Sequence, residues 1–490
     1  MQPTIKRIIT QTDASQTAGF RQMSDRKNVL LSVKTGHIFF LATLGAFLEI
    51  VFVSYFWSFY ACGLLFIYIY TSIQKSPENF ILYTHVVLTK ILVVISLLFI
   101  SLGYYMPELG RFGTPKVGAN AFLVFSIILF YTAERTLRVF QKRNSIKRAE
   151  VNETSIVKII TFLILATSAS LILYLVYFGL SNGFPLLQGI DRFGFRMSNE
   201  DKIFLIVINL KSTLMCALGL ISFCYNCGAL LKIASKLSFS IWVIVSILFG
   251  DKFFSLIVLF LYYYTPYLVM FPSRFSETIT RNTFKGMIIV CLALGIVCYV
   301  YSDYGVLGWE ATIERLFGRF ASQGQLWAMV YRDFQQILSF GQDSLHDYVA
   351  VMFSSNASEK AFNGSVGIFH LMALYAPANI ILSVQEMRGN VQFTGAFEAY
   401  FIMTSGYLGT ILILLVAGVY LGLSAAYLKN AIFFGSPFST GVAVFNMLNC
   451  ASALNQGSLW QILGSKALIY FGILVLLDVL HRVFIRSMRI

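Results

Sequence analysis

Apolar residues in this chain come in long unbroken runs, not in the one-in-two alternation of a half-buried strand. The runs are about 15–25 residues long, the length of a membrane-crossing helix. They predict twelve spans, at roughly 36–53, 54–73, 81–104, 118–134, 156–178, 203–231, 237–250, 253–271, 286–302, 397–427, 438–456 and 464–481. No polar gap separates the first two. The seventh is short, as a tilted or re-entrant segment would be. A barrel strand would instead alternate over roughly 10 residues. Either way a backbone in lipid must satisfy its own hydrogen bonds. The first run follows a polar, basic leader with no short h-region, so it is expected to remain as an anchor. No internal repeat or low-complexity linker is visible.

Polar gaps set the orientation. Lys6, Arg7, Arg21, Arg26, Lys27 and Lys34 precede the first run, and Arg135, Arg138, Lys142, Arg143, Lys147 and Arg148 follow the fourth. Arg274, Arg281 and Lys285 follow the eighth, and Arg482, Arg486 and Arg489 close the chain. With an even number of spans all four segments share one side, which the positive-inside rule makes cytoplasmic. The expected organisation is a cytoplasmic segment 1–35, a first bundle of about nine spans over 36–302, a large periplasmic loop 303–396, and three last spans with a cytoplasmic tail over 397–490.

Composition agrees. Hydrophobic residues make up 57% and charged residues 12%, with a mean hydropathy of +0.73. A soluble domain carries about 25% charged residues, so this chain cannot cover itself for water. Its net charge of +14 is mostly a topology signal and implies no nucleic-acid partner. The seven cysteines fall in or beside apolar runs. Cys224 and Cys227 have CxxC spacing but no second pair, which favours packing over zinc or redox chemistry.

Candidate chemistry lies in the outer loops. The stretch from Asp303 to Glu398 carries nine acids against five bases, Arg315, Arg319, Arg332, Lys360 and Arg388. Ile313, Leu316, Phe317 and Phe320 share one helical face, and Arg315, Arg319 and Gln323 the other. Gln325, Trp327 and Arg332 follow. Aromatic rings beside Gln and Arg make a floor for a sugar, and arginine forks suit a pyrophosphate. The plainer alternative is a solvated amphipathic helix. Arg192 and Arg196, in the earlier outer segment, either cap the same site or snorkel at a helix entrance. His346, flanked by Asp343 and Asp347, and His370 are candidate bases for a sugar hydroxyl. Asp251 and Lys252 form an outer turn suited to a lipid headgroup or to a local ion pair. Glu49, Lys90 and Lys211 are further ionisable residues in or beside apolar runs. No metal-binding motif, P-loop or GxSxG elbow is present, so neither a metal nor a cofactor is expected.

The layout resembles the Wzy-type bacterial polysaccharide polymerases and their relatives, the O-antigen ligases. FGDKFFSL (249–256), RFASQGQLWAM (319–329) and GNVQFTGAFEAYFIMTSGYLG (389–409) are similar to segments of that group. The resemblance implies an all-α, GT-C-like, metal-independent glycosyltransferase of the bacterial inner membrane, with both termini cytoplasmic. Its donor would be an oligosaccharide on undecaprenyl pyrophosphate, and its acceptor another lipid-linked repeat unit. Membrane lipid and a Wzz-type chain-length regulator are the implied partners. Arginines of the earlier and the long outer loop would stabilise the leaving pyrophosphate. A ligase passing glycan to lipid A core is the nearest alternative. A lipid-linked glycan flippase is a more distant one, since transporters more often show two related halves.

Overall fold

The computed structural model describes residues 35–143, 155–190, 192–199, 201–251, 253–272, 308–334, 342–354, 357–364, 366–386 and 393–487, with Gly295 and Ile337 as single positions. Of the described residues, 84% are helical. Among the described residues its strands are one two-residue pair, so the architecture is all-α.

In chain order come α1 (Thr35–Val51), α2 (Phe56–Lys75), α3 (Pro77–Ser101), the hairpin β1 (Tyr105–Met106) and β2 (Arg111–Phe112), α4 (Ala119–Arg143), α5 (Ser155–Asn182), the short α6 (Arg192–Ser198), α7 (Lys202–Gly219), α8 (Ala229–Leu248) and α9 (Phe253–Met270). The long connection contributes α10 (Trp309–Ala321), α11 (Gln325–Asp333), α12 (Gln342–Met352) and α13 (Ile368–Tyr375). Last are α14 (Phe397–Phe434), α15 (Pro437–Gln456) and α16 (Ser465–Ser487). Further short helices fill the connections.

Every predicted apolar run is a helix except 286–302, which lies outside the described residues apart from Gly295. Phe56–Lys75, Pro77–Ser101, Val157–Gln188, Lys202–Cys224, Ala229–Leu248 and Phe397–Phe434 are long and apolar enough to cross a membrane. Phe40, Phe47, Phe162, Leu173, Tyr177 and Leu412 stand exposed on the helices, a surface suited to lipid tails rather than water. The chain is an all-α membrane protein.

Three boundaries differ from expectation. The sixth helix ends in a π-helical turn at Cys224 instead of continuing to 231, because Tyr225 turns extended. The seventh is therefore not short: α8 starts at Ala229 and is of spanning length. The tenth run is 38 residues long but is broken at Gly406, whose φ of 69° lies outside helical space. The backbone N–H that the break frees, on Leu408, donates to Ile337 O of the long connection at 3.1 Å.

Helix ends use local chemistry. Pro77 and Pro437 sit at first-turn positions, where no N–H is needed. Asp201 caps α7 by accepting from Ile203 N at 2.7 Å and Phe204 N at 3.3 Å. Glu49 of α1 caps a different helix. Its carboxylate accepts from Ala119 N (3.0 Å) and Asn120 N (3.1 Å) at the start of α4.

Among the described residues two buried ion pairs cross the bundle. Lys211 of α7 bonds Asp251 in the α8–α9 turn, 40 residues downstream. Lys252 lies outside the described residues. Lys90 of α3 donates to Glu398 Oε1 at 2.6 Å and to Leu454 O of α15 at 2.7 Å. Both side chains are sealed from solvent, with the Phe122 and Phe397 rings 5.4 and 5.7 Å from the ammonium. Removing one partner of such a pair costs about 3–5 kcal/mol, because the other charge is stranded. Replacing both by apolar groups costs much less. Lys90→Met and Glu398→Met should each depress the thermal unfolding midpoint of the detergent-solubilised protein, and the double variant should recover most of the loss. A double variant as unstable as the worse single would show that the pairing is not what matters.

Candidate functional site

The long connection folds onto the end of α3 and the β1–β2 hairpin. Phe317 and Phe320 of α10 lie 5.3 and 5.6 Å from Phe99, ring to ring, and Tyr104 adds an edge contact to Phe317 at 5.2 Å. This is the apolar face that the spacing predicted. Arg315 and Arg319, on the other face, are exposed. Ser96 stitches the turn between α10 and α11: its hydroxyl donates to Ala321 O and accepts from Gly324 N, both at 2.7 Å. Gln323, in that turn, accepts at its Oε1 from Thr394 Oγ1 at 3.1 Å. The return strand of chain passes so close that a Cβ on Gly395 would sit 2.4 Å from Gln323 O, which demands glycine there.

The hairpin turn carries a residue that sequence patterning did not single out. Leu109 N and Gly110 N both bond Met106 O, closing a tight turn with Glu108 at its tip. Arg319 Nη1 donates to Glu108 Oε1 at 3.3 Å, and Gln325 Nε2 donates to Glu108 Oε2. Two side chains of the long connection thus meet one carboxylate of an earlier connection. Burial pushes the Glu108 carboxyl up to about 7, against the lowering pull of the Arg319 guanidinium and the Gln325 amide. The carboxyl remains 23% exposed and Arg319 49% exposed, so both can be reached from outside.

A second charged group adjoins through the same hairpin. Arg111, three residues after Glu108, donates from Nη2 to Tyr375 O of α13 at 3.3 Å. Arg332 forks onto Asp333 at 2.7 and 3.2 Å. Arg332 holds the Asp333 carboxyl below its usual range, with Tyr375 and Arg111 also close enough to lower it. Arg332 is therefore an already compensated arginine, not an isolated cation awaiting an anion.

The other predicted residues are distributed differently. Trp327 is not a sugar floor. It is fully buried, donates from Nε1 to Val117 O (2.9 Å) and Gly118 O (3.2 Å), and packs against Phe122, Phe125 and Tyr331. Its indole fastens α11 to the start of α4. Arg192 opens α6, and Arg196 is half-buried on it. That helix seats Phe195 among Phe178, Phe204 and Phe249, on the α5, α7 and α8 side of the bundle. His346 is exposed on α12, which Tyr348 anchors by accepting from Leu459 N at 2.7 Å. His370 is half-buried on α13. Among the described residues no hydrogen bond joins either histidine to Glu108, Arg319 or Gln325. Arg388 lies outside the described residues. No group of three or more His, Cys, Asp or Glu side chains that could hold a metal occurs among the described residues.

Residues 361–471 match the profile of a family described as "Family of unknown function (DUF6418)". That stretch holds His370, Glu398 and Asn455, and stops short of Glu108, Arg319 and Gln325 in sequence. No curated protein and no solved structure matches the chain.

Trp327→Ala provides a test of its assigned place. Emptying this site should cost about 3–5 kcal/mol, as for other buried aromatic truncations, and lower the unfolding midpoint. A variant with unchanged stability would return Trp327 to the list of ligand-contacting residues.

Proposed function

We propose that this chain is a bacterial inner-membrane glycosyltransferase that joins lipid-linked oligosaccharide repeat units into a surface polysaccharide. Its donor is a glycan on a polyprenyl pyrophosphate. The observation that carries this reading is the seating of Arg319 and Gln325 of the long connection on Glu108, at one end of a bundle of lipid-length helices. A lipid-linked donor needs an apolar body for its tail, and beside it a polar, cation-bearing cap for its diphosphate. Both are present. In this reading the chain crosses twelve times with its termini in the cytoplasm, and the 102–118 and 303–396 connections share the outer face.

The compartment supports the chemistry. Outside the cytoplasmic membrane there is no ATP or nucleotide sugar, so the donor must arrive with its leaving group attached. Charge builds on that pyrophosphate as its bond to the sugar breaks, and arginine forks meet such charge well. Arg319 is the first candidate because it is half-exposed and held at a defined place by Glu108. Arg315 precedes it by one turn, and Arg111 enters from the hairpin. Arg192 and Arg196 belong to the α6 side and would take part only where the donor bridges both groups of helices.

Deleting the gene should collapse the surface polysaccharide ladder on a gel to single repeats. Complementation with Arg319→Ala should leave the protein in the membrane and the ladder sharply shortened, with residual polymer still measurable. Arg192→Ala tests the wider site in the same way. A full ladder in the deletion strain would reject the polymerase reading. Loss of all decorated acceptor, including single-repeat forms, would indicate the ligase.

A further inference from the structure

We infer that Glu108 is the general base of this transfer, with Arg319 and Gln325 as its positioning residues. The inference rests on the glycosyltransferase reading and deepens it. Its geometry is specific. Each carboxylate oxygen has its own donor, both donors come from a different connection, and the carboxyl is left partly open. A purely structural ion pair needs no third party. Here the Gln325 side chain, fully buried, keeps its amide oxygen without a partner among the described residues, beside the carboxylate. That oxygen is an acceptor awaiting a hydrogen-bond donor such as a sugar hydroxyl.

The step balances without a cofactor. The acceptor hydroxyl gives its proton to Glu108 as its oxygen bonds the anomeric carbon of the donor. The bond from that carbon to the pyrophosphate oxygen breaks, and the electron pair leaves on the pyrophosphate. Glu108 then releases its proton to the outer solvent. A base works best when its pKa lies near the working pH, and burial has brought this carboxyl into that range. The charged and titratable groups around it are Arg319, with Arg315 and Glu314 on the same helix, and Tyr105 and Arg111 on the hairpin. Of these, Arg319 is in direct contact.

The test uses membranes of the deletion strain complemented with each variant, with their own lipid-linked repeat units as substrate and ladder formation as readout. Membrane levels of each variant are measured alongside. Wild-type activity should fall as the outer pH drops below about 7, since only the ionised carboxylate can accept the proton. Glu108→Gln should lose about 100-fold or more, in the range of general-base removal, at an unchanged protein level. Glu108→Asp should retain part of the activity. Arg319→Gln removes the guanidinium that lowers the Glu108 pKa, so the residual activity should show its pH limb displaced upward. That displacement is expected even if Glu108→Gln fails to accumulate. Full ladders from Glu108→Gln, or an unmoved limb in Arg319→Gln, would overturn the assignment while leaving the polymerase reading intact. A deletion strain with a normal ladder would overturn the polymerase reading first.

Discussion

The ion pair between Lys90 and Glu398 is the constraint on which the rest of the molecule is arranged. A charge inside a lipid-length bundle has no water to fall back on, so it must find its partner at a fixed place. The partners are 308 residues apart in sequence. Their meeting sets where the chain re-enters the bundle after the long connection. Lys90 also holds Leu454 O, so α3, α14 and α15 converge on one ammonium. One turn before Glu398, Gly395 N faces Asn455 Oδ1 at 3.4 Å and Ala396 N bonds Asn455 O at 3.0 Å. The same segment presses Gly395 on Gln323 O. The pair therefore governs the position of the α10–α11 turn as well as that of the helices.

From that anchor α3 acts as a spine. Lys90 fixes the return of the chain, Ser96 holds the α10–α11 turn, Phe99 receives the aromatic face of α10, and the hairpin follows directly. Each contact lies further along one helix, and together they deliver Arg319 and Gln325 to Glu108. Such a chain of contacts suits a catalytic carboxylate. The partly exposed pair of Arg319 and Glu108 adds little stability by itself, since solvent-reached pairs contribute about 0–1 kcal/mol. Its geometry has to be imposed by packing beneath it. Trp327 does that for α11, and Phe317 and Phe320 do it for α10.

The architecture was legible in the sequence because a lipid-length apolar run has few ways to satisfy its backbone except as a helix. The runs located the helices well. Their ends were less legible, because Gly406 and the π-helical turn before Tyr225 interrupt stretches whose composition does not change. The site was legible only in part. Arg319 could be found because it lies on the polar face of an amphipathic pattern, and Gln325 because it follows that pattern directly. Glu108 could not: it is a lone acid in the turn Pro107-Glu108-Leu109-Gly110, with no periodicity, and its unusual environment comes from residues more than 200 positions away. Trp327 misled for a different reason. Gln325 and Arg332 nearby suggested a polar floor, but α11 is buried on all sides from Gln325 to Tyr331, which no spacing within nine residues reveals. Lys90 stood out as a charge in an apolar run, yet nothing local indicated Glu398.

The arrangement around Glu108 also couples two events that the proposed reaction needs at the same moment. Before transfer, the carboxylate is charged and Arg319 is attracted to it. As the acceptor proton arrives, Glu108 becomes neutral and its attraction for the guanidinium falls to that of an ordinary hydrogen bond. Arg319 is then released to other negative charge. In that same step, negative charge is developing on the departing pyrophosphate. In the proposed reaction one guanidinium would thus orient the base while it is ionised and turn to the leaving group once it is not. A lysine would serve less well, because its single point charge lacks the separate N–H groups that let a planar fork contact both oxyanions at once. A neutral histidine base would carry no charge to hold the guanidinium in place before transfer. Among the residues this fold brings together, a carboxylate held by an arginine is the combination in which proton transfer strengthens the stabilisation of the leaving group.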